Sequence, residues 1–538
     1  MLLKLRKQLF LALIFFILTL AQQYLFLALK GIPIVPLSFG KYVGVLIFFS
    51  LLSFIKTDFL RYIFMSMILI LNAFQMGHLS YFGTQVLPAE IYLLFTQFGE
   101  VHGTVKEDFR HVLIPLMFTL VPLFLGWMAH KRLKSVYSWR GIEILVCLYV
   151  IYNPVRTYVT GNTWGRQPST RELTGVNLYL TLSYFTGRIL PHKLSQSSAG
   201  TAAQNSSMLL TLTPGSGPKW DKIVIVLGES LTPRHMQLFG YSRPTTPFLE
   251  LQKDSPDFFY TTGLSGGVST DIAVAYFLNL GFGSAGSIKA AKGDQCLFRL
   301  AKTKEFKTHF ISIQSSEQLR YISPYLCASN LDDLRSLEDI APETVDHQAA
   351  SDRDLLGTLQ EFTKVDGKDF LILHQRGSHS PWNLRFSQQA KLFSGSSDSR
   401  TDDYDNSVVE FDLFWKELHT ILSNSAQKIL LVYLSDHGES LGDNGRWGHG
   451  FVEPVSFEVP IIIKSFNQAL PANTKKLPKF LTHFNLGLYI TKELGYELNQ
   501  KPEILPLDYE VYGNDIDGFA GKAAIKFNEK GYSFEFSP

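Results

Sequence analysis

The 538 residues carry 50 Lys and Arg against 48 Asp and Glu, a formal net charge of +2, so neither nucleic acid nor another polyanion is implied as a partner. Hydrophobic residues reach 46%, and 17 of the 42 Phe fall in the N-terminal third among its long apolar runs, which excludes a uniformly water-soluble chain. Of three cysteines, Cys147 lies in an apolar run. Cys296 and Cys327 lie in the polar part, where one disulfide and two buried thiols are both open.

In chain order, apolar runs cover about Leu9–Leu29, Tyr42–Ile55, Phe59–Phe82, Val112–Met128 and Ile142–Tyr158. Each is near the roughly 20 residues that cross a bilayer, the second being the shortest, so about five spans are predicted. The first is too long for a signal peptide and lacks a small-residue cleavage site, so it is read as an uncleaved span. Lys4, Arg6 and Lys7, then Lys56 and Arg61, then Lys131, Arg132, Lys134 and Arg140 fall on one side. The positive-inside rule assigns that side to the cytoplasm and everything after Tyr158 to the outside. The spans carry almost no charge, which argues against a transporter or pump.

Between the third and fourth runs, LPAEIYLLFTQFGEVHGTVKEDF reads as an interfacial amphipathic helix on the outer face. From Thr160 to about Leu194 the chain is too polar to cross and apolar enough to lie on the bilayer. Leu194–Ser207 is low-complexity and linker-like. The predicted domains are therefore 1–160 transmembrane, 161–218 interfacial helix and linker, and 219–538 extracytoplasmic.

The last part alternates strand and helix. Lys222–Leu227, Thr308–Ile313, Asp369–His374, Ile429–Ser435 and Val459–Lys464 are short Val, Ile, Leu or Phe runs separated by helix-length stretches. This is the grammar of a mostly parallel sheet covered on both faces. Gly521–Phe536 reads as a terminal hairpin.

Ligands in such sheets lie beyond the carboxyl ends of the strands. KIVIVLGES ends there in Glu229, and KILLVYLSDHGE ends in Asp436 and His437. In LSGGVSTDIAVAYFLN, Ser269 and Thr270 place hydroxyls at a helix N-terminus, where an anion is favoured. DFLILHQRGSHSPW carries His374 and His379, and His449 follows the glycine-rich loop after Asp436. Acids and imidazoles from separate loops suit zinc or another divalent ion with an open position, and such an ion would activate an alcohol.

The runs IVLGESLTPRHMQLFGYSRPTTPFL, SGGVSTDIAVAYFLN, HQRGSHSPW, YDNSVVEFD and SDHGESLG followed by GHG resemble the membrane-anchored phosphoethanolamine transferases of the alkaline phosphatase and sulfatase superfamily. The resemblance implies a helical transmembrane bundle followed by an alkaline-phosphatase-like α/β domain. It places the metal ligands at Glu229, Thr270, Asp436 and His437, the nucleophile at Thr270 in preference to Ser269, and phosphoryl-handling or second-zinc histidines at His379 and His449. One or two zinc ions are implied ahead of manganese or magnesium. Phosphatidylethanolamine is the implied donor, and lipid A, a core sugar or another envelope glycan the acceptor. A monomer in a bacterial inner membrane is implied, N-terminus cytoplasmic and catalytic domain periplasmic. Alternatives with the same layout are a phosphoglycerol transferase of the lipoteichoic acid synthase type, a hydrolase using water as acceptor, and a non-catalytic envelope sensor. The sequence departs from many relatives at Gly266 and Tyr276, where they carry a cysteine pair. Tyr404–Asp412 is read as a structural helix outside the site.

Overall fold

The computed structural model describes residues 2–96, 109–133, 140–162, 164–166, 168–169, 172–198, 212–215, 217–281, 293, 295–320, 322–343, 350–396, 398–498, 509–514, 519–528 and 531–537. The chain divides into two compact units, Met1–Ala202 and Ala203–Pro538.

The first unit is helical: α1 Leu2–Leu29, α2 Phe39–Leu52, α3 Asp58–Phe82, α4 Pro88–Thr96, α5 Arg110–Arg132, α6 Arg140–Thr160 and α7 Thr174–Tyr184. α1, α3, α5 and α6 each contain a stretch long and apolar enough to cross a membrane. α2, the second predicted span, has 14 residues and rises about 21 Å, against a hydrocarbon core of about 30 Å. Of the predicted interfacial helix only α4 is described; residues 97–108 lie outside the described residues, as do residues 199–207 of the linker.

Apolar packing gains little where lipid is the alternative, so buried polar side chains tie this unit together. The Gln22 amide donates to Leu69 O at 3.0 Å and Thr119 Oγ1 at 2.7 Å, and Asn72 Nδ2 donates to Gln22 Oε1 at 3.0 Å. At the N-terminus of α7, the Thr174 backbone N–H donates to Gln23 Oε1 at 2.9 Å and that of Gly175 to Asn72 Oδ1 at 2.5 Å. Side chains of α1 and α3 thus satisfy two of the donors that a helix start leaves unpaired. The segment 161–218 is drawn into both units, because Leu212–Pro214 pairs with Tyr496–Leu498 in the second.

In the second unit the strands are β1 Leu212–Pro214, β2 Lys222–Gly228, β3 Phe258–Leu264, β4 Lys307–Ser312, β5 Asp333–Arg335, β6 Asp369–His374, β7 Ile429–Ser435, β8 Ser440–Leu441, β9 Trp447–Gly448, β10 Glu458–Phe466, β11 Phe480–Thr482, β12 Tyr496–Leu498, β13 Tyr509–Tyr512, β14 Lys522–Asn528 and β15 Gly531–Ser537. Eight form one sheet in the order β11–β3–β10–β7–β2–β6–β4–β5, parallel except for β10, which is antiparallel to β3 and β7. Each predicted strand is present, and the predicted terminal hairpin is β14–β15, joined by β13 into a separate three-stranded sheet.

β2 is central because every residue in it is buried, and its alternating side chains enter two cores. Ile223, Ile225 and Leu227 face one, and Val224 and Val226 the other. Each such side chain stabilises the fold by about 1.5–3 kcal/mol through removal from water. The first core includes helix α8, Thr270–Leu278, and the second includes helix α9, Ser399–Ser423. Cys296 and Cys327 form a disulfide.

Candidate active site

β2 and β7 run side by side and parallel, with Gly228 opposite Ser435, so Glu229 and Asp436 leave the same edge together. The Asp436 N–H donates to Gly228 O at 3.0 Å, and Asp436 Oδ1 accepts from the N–H groups of Ser230 at 3.1 Å and His437 at 2.7 Å. Ser230 is held at a φ of 58°, a left-handed conformation unusual for a side-chain-bearing residue. The Tyr404 hydroxyl of α9 donates to Ser230 O at 2.8 Å and accepts from the Thr232 N–H at 2.9 Å, pinning that turn. Asp412 accepts from the Phe248 and Leu249 N–H groups, at 2.7 and 3.0 Å. α9 therefore braces the chain that follows β2.

Thr270 is the first residue of α8. Its Oγ1 stands 3.4 Å from Glu229 Oε1 and 3.5 Å from His437 Nε2. Ser269 occupies the N-cap position in an extended conformation, and its hydroxyl donates to Asp271 Oδ1 at 2.7 Å. Of the two candidate hydroxyls, then, Thr270 faces the acids. His379 Nε2 lies 3.5 Å from Glu229 Oε1, and the His449 ring lies 4.1 Å from that of His437 and 5.7 Å from that of His379, centroid to centroid. All six predicted site residues meet at one sheet edge.

Two contributors were not foreseen. Glu439 is fully buried, and its Oε2 lies 2.9 Å from His449 Nδ1. Its signal was its place in SDHGE, three residues after Asp436. Gln314, in the loop after β4, donates its amide to Glu229 Oε2. Gly377 fixes the approach of the His379 loop, since a Cβ there would fall 2.4 Å from Glu229 O. Gly266 and Tyr276 are in contact, the Tyr276 Cβ 3.0 Å from where a Gly266 Cβ would stand.

Burial pushes the Asp436 carboxyl up and, more than the nearby His449 does, pushes the His437 imidazole well down. Burial also raises Glu439, with His449 opposing it. His437 Nδ1 lies 3.0 Å from Gly438 O, a contact that leaves the Nε2 lone pair for the side of Thr270 and Asp436. Among the described residues, Asp436 Oδ2 and Glu439 Oε1 are buried acceptors without a hydrogen-bond donor. Ligand atoms of Glu229, Asp436 and His437 lie within 4.8 Å of one another, as do those of His437, Glu439 and His449. Carboxylate oxygens with no donor beside a neutral imidazole are a set that a divalent cation satisfies, so the residues fit zinc.

The model of the Sulfatase family matches residues 221–490, half of the chain. The chain belongs to the sulfatase family. That span holds every residue of the site, so the resemblance read from the motifs is borne out at the family level. Among curated proteins, the sulfatase-family chain is 27% identical over 292 residues to phosphoethanolamine transferase EptA of Helicobacter pylori, covering 50% of this chain and 53% of that one. It is 26% identical over 271 residues to the Kdo(2)-lipid A phosphoethanolamine 7''-transferase of Escherichia coli, covering 47% and 46%. The chain thus spans about half the length of these curated relatives. Among solved structures, the integral membrane lipooligosaccharide phosphoethanolamine transferase A of Neisseria meningitidis superposes with a TM-score of 0.57 at 18% identity, covering 91% of this chain and 96% of that one. That likeness extends the shared fold through the N-terminal helices.

Proposed function

We propose that this protein transfers phosphoethanolamine from a phospholipid donor, phosphatidylethanolamine, to an envelope acceptor such as lipid A, through a covalent intermediate on Thr270. The observation that carries the reading is the convergence of Thr270 Oγ1 on Glu229 and His437, at 3.4 and 3.5 Å, at the N-terminus of α8. The phosphoethanolamine transferases of Helicobacter pylori and Escherichia coli to which the chain is similar support the choice of group transferred.

Glu229, Asp436 and His437 would hold a zinc ion, with Thr270 as a further ligand, and such an ion would supply a lowered pKa for the threonine hydroxyl and positive charge opposite the phosphoryl oxygens. Thr270 Oγ1 attacks the donor phosphorus, its proton passing to a basic group of the site, and the bond from phosphorus to the diacylglycerol oxygen breaks. His379 and His449 face this edge and supply the proton that the departing oxygen takes up. The α8 N-terminus orients the phosphoryl oxygens. An acceptor hydroxyl or phosphate then attacks the same phosphorus and Thr270 is released. The donor and the diacylglycerol never leave the lipid phase, which gives the apolar helices their purpose.

The basic clusters at Lys4–Lys7, Lys56–Arg61 and Lys131–Arg140 set the N-terminus in the cytoplasm of an inner-membrane protein. Five crossings, the short α2 included, carry residues 219–538 to the periplasm as the catalytic domain. Local thinning of the bilayer accommodates a 14-residue crossing. Mass spectrometry of envelope glycolipids, from cells with the wild-type protein, the Thr270→Ala variant or neither, tests the activity. Phosphoethanolamine-bearing species appear only with the wild type. Phosphoglycerol in its place, or no change in lipids, would refute the reading.

A further inference from the structure

The C-terminal three-stranded sheet lies outside the span matched by the family, yet its first strand grips the loop that carries the nucleophile. The Tyr512 N–H donates to Gly266 O at 3.0 Å, and Tyr512 O accepts from the Val268 N–H at 3.0 Å. Val268 stands two residues before Thr270. Its own carbonyl accepts from the Gly450 N–H at 3.2 Å, so the loop that carries His449 hangs from the same residue. Asn514, two residues past β13, lies against Gly450 so closely that a Cβ there would meet its Nδ2 at 2.2 Å.

The side chain of Tyr512 acts in the same direction. It is buried in a small cluster with Ile272 and Tyr276 of α8, its ring 5.5 Å from that of Tyr276. Tyr276 in turn covers Gly266. The backbone of Tyr512 therefore sets the loop before Thr270, while its ring sets the rotation and height of the helix that Thr270 begins. Two backbone hydrogen bonds and one aromatic contact add to the stability of the domain. Their larger effect is geometric, since a misplacement of about 1 Å of a reacting group costs about 10²-fold in rate.

We propose that Tyr512 is a positioning residue for the transfer reaction, and that β13 couples the placement of Thr270 to that of His449. The proposal rests on the assignment of Thr270 as the nucleophile. The test uses full-length protein in nanodiscs containing phosphatidylethanolamine and follows diacylglycerol release by the wild type, Tyr512→Ala, Tyr512→Phe and Thr270→Ala. Tyr512→Ala lowers kcat about 10²-fold with KM and bound zinc unchanged, and Tyr512→Phe, which keeps the ring, restores the wild-type rate. Hydrogen exchange on the same samples shows Val268–Ile272 and Gly450 losing protection in Tyr512→Ala while Ile223–Leu227 keep theirs. In the unaltered protein the Val268 and Tyr512 amides exchange slowly and together. A wild-type kcat in Tyr512→Ala, or loss of zinc and of protection throughout the domain, or fast and independent exchange of those two amides in the wild type, overturns the proposal. Activity retained by Thr270→Ala overturns the nucleophile assignment instead.

Discussion

Gly377→Ala tests whether the position of Glu229 is set by the loop from β6. Gly377 has a φ of 57°, and its N–H donates to Asp352 Oδ2 at 3.1 Å while the neighbouring Ser378 N–H donates to Glu229 O at 3.0 Å. A methyl group at Gly377 would stand 2.4 Å from Glu229 O and 2.8 Å from Glu229 N, both backbone atoms that no side-chain rotation can clear. Ordinary contact begins at 3.4 Å, so the two segments must part by about 1.0 Å (3.4 − 2.4). Left-handed backbone in alanine adds about 1–2 kcal/mol. The shift moves Glu229 Oε1 relative to Thr270, and a displacement of that size costs about 10²-fold in rate, or about 2.7 kcal/mol of barrier. Gly395→Ala is the control, because Gly395 has a φ of 99° with no atom of the described residues within 4 Å of its would-be Cβ, so it carries the backbone strain alone. Diacylglycerol release, zinc affinity by chelator competition and thermal melting are measured for both variants. Gly377→Ala loses rate and zinc affinity beyond what its melting shift explains, and Gly395→Ala loses neither. Wild-type rate and zinc affinity in Gly377→Ala would refute the reasoning.

Three further outcomes are expected at other contacts of the domain. Tyr404→Phe removes the hydroxyl that bridges Ser230 O and the Thr232 N–H, and lowers the unfolding free energy by about 1–3 kcal/mol, read by denaturant titration. At the opposite edge of the sheet, burial pushes Asp369 up, but hydrogen bonds from His309 and Lys222 and the lysine's charge outweigh it and hold the carboxyl below its ordinary value. A depressed folded pKa contributes stability that is present above the unfolded value of about 3.9 and lost as the pH falls through the folded value, so Asp369→Asn flattens the melting temperature across the acid range below about pH 4. Replacing Cys296 and Cys327 by Ser, a closure spanning 31 residues of sequence, lowers stability by about 3–4 kcal/mol if chain entropy dominates, and an unchanged melting temperature would remove that bridge from the account.

Much of this architecture was legible before any coordinates. β2, β6 and β7 are buried along their whole length, so they appear as unbroken apolar runs, and their carboxyl ends announce themselves by Glu229, His374 and Asp436. β3 escaped notice because FFYTTGL is half-buried and rich in Tyr and Thr, with no run to mark it. The reversed direction of β10 was also hidden, since an apolar strand reads the same in either sense and direction is set by the crossovers around it. At the site, ligand-type residues stood out by chemistry and spacing. Glu439 and Gln314 did not, because their roles depend on which neighbour the fold brings to them. The grip of Tyr512 on Gly266 and Val268 runs through backbone groups, which every residue but proline carries and which leave no mark in the sequence.

The central claim is covalent chemistry at Thr270, and peptide mass spectrometry of the full-length protein, quenched in acid during turnover with phosphatidylethanolamine vesicles, tests it most directly. A phosphoethanolamine adduct on Thr270 that disappears in the Thr270→Ala variant is the predicted result. An adduct on another residue, or transfer by the Thr270→Ala variant at the wild-type rate, would contradict it.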